Sequence, residues 1–122
     1  MAAPNVVNVT SIYGKTVGAA LGTTLTTALL ANGLNSGKLL KVNSIIVANK
    51  DGSSVADVTI SFHNGSTDYY FASAVSVPSK STLIVLGKDA PIYLEENHTI
   101  RGGASAAGDL DCIISYEELD DA

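Results

Sequence analysis

Residues 55–78 read VADVTISFHNGSTDYYFASAVSVP, and the first half of that stretch decides the fold. Val58, Ile60 and Phe62 alternate with Asp57, Thr59 and Ser61. Successive side chains of a strand point to opposite faces, so a period of two gives one apolar and one polar face. The run then meets Asn64-Gly65, a pair that supplies the positive φ angles of a tight hairpin turn. A second β-rich run, DYYFASAVSVP (68–78), returns from it.

The same pattern continues on both sides. LDCIISY (110–116) places Leu110, Cys112, Ile114 and Tyr116 on one face. KVNSIIVAN (41–49) carries Val42, Ile46 and Ala48 on one face and Ile45 and Val47 on the other. Apolar residues on both faces suit a central strand or one that faces a partner. STLIVLG (81–87) adds a further strand. KDGS (50–53), VPSK (77–80), GKDAP (87–91), EEN (95–97) and AAGD (106–109) all have turn chemistry. Strands so closely spaced predict an all-β, antiparallel β-sandwich of about eight strands, jelly-roll or immunoglobulin-like. The first third is less regular. VGAALGTTLTTALLANGL (17–34) has the Ala and Leu content of a helix, but Gly18, Gly22 and four threonines oppose it. A strand over 23–31 followed by a loop over 31–38 is the expectation, with a helix as the alternative.

With 122 residues and 12.5 kDa, the chain is expected to form one domain over 1–122. An N-terminal arm (about residues 1–5) and a short acidic tail (117–122) flank it. Charged residues are 16% of the sequence, below the roughly 25% of an average soluble domain. Much of the surface is therefore Ser, Thr, Asn and Ala. Such a surface desolvates cheaply against neighbours, or is simply that of a lean sandwich. The net charge of −5 and seven scattered basic residues give no cationic patch. Neither nucleic acid nor anionic membrane is expected as a partner.

Residues 94–119, LEENHTIRGGASAAGDLDCIISYEEL, gather acids, a histidine and the single cysteine. They nevertheless read as two strands, roughly 98–105 and 109–117, joined by AAGD. Cys112 then points into the core, Asp109 and Asp111 share the wet face, and Glu95–His98 form the preceding turn. A single cysteine forms no internal disulfide, and His63 and His98 are too isolated to anchor a metal. YGKT (13–16) has Val9 where a phosphate-binding loop needs glycine. No serine occupies a nucleophile elbow, and no pair of opposed carboxylates is apparent. The expectation is no enzyme activity, no cofactor and no metal. Three N-x-S/T sequons occur, but the N-terminus lacks secretory character, so synthesis in a cytoplasm is expected.

MAAPNVVNVTSIYGKT, SGKLLKVNSIIVANKDGSSVADVTISF, YYFASAVSVPSKSTLIVLGKDAPIYLEENHTIR and ASAAGDLDCIISYEEL together resemble a kind of small virion structural protein of tailed bacteriophages, especially cyanophages. The resemblance covers nearly the whole chain. Its most specific parts are KVNSIIVANKDGSSVADVTI, the Val77-Pro78 turn and the closing ISYEEL. At 94–100 the family-like pattern usually has Gly-Asp where this chain has Asn97-His98; both pairs suit a turn. The resemblance implies a virion component that self-associates or coats a larger assembly. A decoration or cement protein on the head exterior is the first reading. A tail, neck or fibre-associated module with glycan or receptor binding is the second. The implied partners are other virion proteins, either the major capsid protein or tail and neck components, and further copies of itself. Candidate contact residues are Val6, Val7 and Val9 on the arm, Leu34 in its loop, and Tyr69, Tyr70 and Phe71. Arg101, Glu117 and Glu118 are candidates as an exposed rim. Tyr70 or Tyr93 could alternatively cover a sandwich edge with its hydroxyl in water.

Overall fold

The computed structural model describes residues 11–120, and all regular structure among them is β. Nine strands follow in order: β1 (Ser11–Ala20), β2 (Ala28–Ala31), β3 (Lys38–Asn49), β4 (Ala56–His63), β5 (Asp68–Val77), β6 (Thr82–Leu86), β7 (Ile92–Leu94), β8 (Thr99–Ala104) and β9 (Leu110–Asp120). They form two antiparallel sheets. One runs β1-β9-β3-β6 with β7 also on β3, and the other runs β2-β8-β4-β5. β6 and β7 lie end to end along one side of β3, against Ile45–Ala48 and Leu40–Val42.

Connectivity decides between the two expected sandwiches. With β7 set aside, the strands pair first with last and so on inward: β1 with β9, β2 with β8, β3 with β6, β4 with β5. The chain is one long hairpin bent at residues 64–67. That hairpin is rolled until β9 also meets β3 and β8 also meets β4. A rolled hairpin of this kind is a jelly roll. The two strands expected within 94–119, joined by AAGD, are β8 and β9. β8 and β9 form no hairpin, because they lie in opposite sheets and the AAGD turn crosses between them. The VPSK turn makes the same crossing from β5 to β6.

Between the sheets lie Leu21, Val42, Ile45, Val47, Val58, Ile60, Leu94, Ile100, Leu110, Cys112 and Ile114, all essentially without exposure. Burying each large aliphatic side chain contributes roughly 1.5–3 kcal/mol. The faces of β3 differ from the simple alternation. Its register against β9 shifts between Val42 and Ser44, so Val42, Ile45 and Val47 all point inward. Ile46 and Ala48 are left on the outside. A bulge inserts one residue and so exchanges the faces beyond it.

Three further expectations change. The strand over 23–31 is only Ala28–Ala31, and 21–27 is a loop whose Leu21 plugs the core. The helix alternative is not realised, and 17–20 belongs to β1. The acidic end is strand through Asp120, since β9 is held on both sides by β1 and β3. In the turn at 64–67 only Gly65 takes a positive φ, of 97°. Asn64 instead accepts the amides of Ser66 and Thr67 through its side-chain oxygen.

Candidate functional site

The hairpin that decides the fold also builds the main exposed feature. β5 is the edge of its sheet and carries two extra residues relative to β4, one on each side of the Ile60–Ala72 pair. Tyr69, Tyr70 and Phe71 lie at the start of the strand. Tyr69 stacks on Phe62 with centroids 6.5 Å apart, and His98 meets Phe62 edge-on at 5.0 Å. From the other sheet, Ile92 and Tyr93 of β7 close the opposite wall. The result is an open cleft of about 260 Å³ lined by Phe62, Tyr69, Tyr70, Phe71, Ile92 and Tyr93. Tyr69, Tyr70 and Tyr93 are 57%, 61% and 47% exposed, so their rings are presented rather than stored. Tyr93, readable in the sequence only as an edge residue, joins the cleft because β3 brings β7 alongside β5.

Beside the aromatics lies a polar cluster. Asp68 accepts hydrogen bonds from Arg101 Nη1 at 3.5 Å and from Ser61 Oγ at 3.4 Å, and its Oδ1 lies 3.0 Å from His63 Nδ1. Arg101 is thereby committed to Asp68 and only partly exposed, where the sequence reading set it on an open rim. Glu118 departs further from that reading. It is buried, with Lys15 Nζ of β1 at 3.2 Å and Lys38 Nζ of β3 at 3.4 Å. It holds three adjacent strands together and is not offered to a partner. Glu117 is half-exposed, opposite Gly14 and Lys41 in the ladder. Leu34 is 68% exposed in the loop 32–37, apart from the cleft. Val6, Val7 and Val9 lie outside the described residues.

A second apolar surface was only hinted at by β3. On its outer face, Ile46 stands beside Ile84 of β6 and Ile113 of β9. Ile84 is 65% and Ile113 43% exposed.

Reactive groups are placed elsewhere. Burial pushes the Cys112 thiol up to about 12, which keeps it protonated in the core. Asp51 is held below the usual carboxylate range by the amides of Ser54 and Ser53, which cap its turn. The ammonium of Lys15 is raised by its hydrogen bond to Glu118. His98 does not reach Asp109 or Asp111; its Nδ1 accepts the amide of Glu95 within its own turn. Asp111 instead pairs with Lys50 at 3.2 Å. Among the described residues no three His, Cys, Asp or Glu side chains converge as a metal site, and no helix is long and apolar enough to cross a membrane.

No family model matches the sequence, and no curated protein matches it. Two of the solved structures similar to the chain are both of a pentameric capsid protein isolated from metagenomic phage sequences. Each is 14% identical with a TM-score of 0.37 over 86% of this chain. This chain spans 64% and 60% of their respective lengths, less than two thirds of either.

Proposed function

We propose that this protein is a structural component of a phage virion, without catalytic activity, that decorates the head exterior through protein–protein contacts. The observation that carries this reading is the cleft between β5 and β7. Tyrosine is among the residue types that dominate binding energy at protein interfaces, and three of them stand exposed around one apolar depression. Beside the aromatics, Asp68 is engaged with Arg101 and His63. The sequence resemblance to virion proteins supports the same role. Jelly rolls occur in capsid and lectin domains alike, so fold contributes only by analogy. Many copies on one lattice would bind by avidity even where each contact is weak.

The test is fractionation of phage particles into heads and tails, with immunodetection of this chain. Recovery with heads, lost in Tyr70→Ala and Tyr93→Ala variants that keep their melting temperature, supports the reading. Absence from both fractions rejects it. Recovery with tails supports the second reading, a tail, neck or fibre-associated module. The feature favouring that alternative is again the tyrosine cleft, whose exposed rings could stack on a sugar face.

A further inference from the structure

A sheet edge left open is a template for another strand, and proteins block such edges with bulges, short strands or charge. Three of the four edge positions in this sandwich carry such devices. β5 has two bulges and a left-handed residue, Ala74, at φ 52°. β2 is four residues long and its register shifts. The β6/β7 edge is broken into pieces of five and three residues. β1 has no bulge and is not short, and it carries one charge. It is ten residues long and pairs with β9 without a bulge from Ser11 to Ala20. Gly14 and Gly18 leave open space around them, and among the described residues no strand lies on the far side. That charge, on Lys15, reaches across to Glu118 at 3.2 Å.

We propose that β1 pairs antiparallel with β1 of a second copy of this chain, joining the two sheets as β6-β3-β9-β1-β1-β9-β3-β6. The occupant follows from symmetry and charge. A two-fold axis perpendicular to the sheet sets residues of like face opposite one another, so the axis passes through a residue. Centred on Lys15, it would oppose two lysines; centred on Thr16, it opposes two threonines, a favourable cross-strand pair. The Thr16 register pairs Ile12 with Ala20, Tyr13 with Ala19, Gly14 with Gly18 and Lys15 with Val17 across the axis. It uses nearly the whole strand, and no acidic side chain lies on β1 to add to the repulsion of a −5 chain. The inference stands independently of any place on a virion.

Sedimentation equilibrium of the purified chain is expected to show a dimer. Thr16 is exposed, so Thr16→Lys and Thr16→Glu keep the fold, and each alone is expected to be monomeric. Mixed in equal amounts, they are expected to form a one-to-one dimer, because opposite charges then face across the axis. Ser76→Lys on the β5 edge is expected to leave the dimer intact. Thr16→Cys is expected to cross-link under mild oxidation, with the buried Cys112 inert. A wild-type chain that stays monomeric, a dimer that survives both charge variants, or a Thr16→Cys chain that does not cross-link would each overturn the proposal.

Discussion

Asn49 shows how much a single polar side chain contributes at the end of a strand. It is 2% exposed, and its Nδ2 donates to Val77 O at 2.8 Å and Ser54 O at 3.0 Å. Its Oδ1 accepts the amide of Asp51 at 3.0 Å. One side chain thus ties β3, the following turn and the end of β5. Asn32 does the same at the other end, donating to Lys38 O and Leu94 O at 2.8 Å. Removing a partner leaves buried carbonyls unsatisfied, so Asn49→Ala is expected to cost about 1–3 kcal/mol. The urea midpoint should fall with an unchanged slope. Nothing in KVNSIIVAN or ANGLNSGK distinguishes these asparagines from ordinary turn residues, because the partner that makes each one tertiary, Val77 or Leu94, comes from a distant strand. Cys112, by contrast, is legible from its apolar neighbours. Its folded pKa, about 12, lies above the ordinary 9.0, so folding favours the protonated thiol. The associated stability is complete below the ordinary value and is lost as pH climbs toward 12. Ellman's reagent at pH 8 should leave native Cys112 unlabelled and label it fully in denaturant; fast native labelling would contradict its burial.

Elements were legible where their signal is local. The β4–β5 hairpin announces itself through alternation and the Asn-Gly turn, both contained within its own residues. β1 does not, since SIYGKTVGAA interrupts its β-formers with two glycines and ends in two alanines, and it is strand because β9 pairs with all of it. The bulge in β3 is equally non-local, and it reversed the expected faces of Ile45 and Ile46. The candidate site divides in the same way. Tyr69, Tyr70 and Phe71 were legible as an aromatic cluster, but the wall from β7 and the burial of Glu118 depend on the roll. Gly103 is another residue whose necessity is tertiary. A Cβ there would lie 2.6 Å from Thr24 O and 2.8 Å from Gly22 O, so the backbone of the 21–27 loop crosses directly over it. Gly103→Ala must push that loop away and disturb the bond from Ala104 N to Gly22 O. The expected cost is about 1–3 kcal/mol. Calorimetry should show the lower melting temperature. Gly14→Ala, whose Cβ meets open space, should stay within about 0.5 kcal/mol of the wild type.

At the scale of the whole molecule, a rolled hairpin places its largest closure last. β1 pairs with β9 along its full length, and the Lys15–Glu118 contact spans 103 positions. β9 is also the strand to which β3 is most extensively paired, from Lys38 to Asn49. The sheet containing β1, β3 and β6 therefore has no centre until the last strand arrives. Folds dominated by such non-local pairing close large loops before any contact stabilises them, and they fold on the millisecond-to-second scale. Refolding from urea, followed by tyrosine emission, is expected on that timescale. A chain ending after Asp109 removes β9 and should show no cooperative unfolding transition, because β1 loses its only neighbour among the described residues and β3 loses one side. Removing β7 alone is different in kind. It pairs only with Leu40–Val42 at the edge, outside the first-with-last nesting that defines the roll. Replacing residues 91–95 with a glycine-serine linker should therefore leave a cooperative, less stable fold whose aromatic cleft has lost one wall. A truncated chain that still melted cooperatively without β9 would mean that the β2-β8-β4-β5 sheet is stable alone, contrary to the interleaving of the two sheets along the sequence.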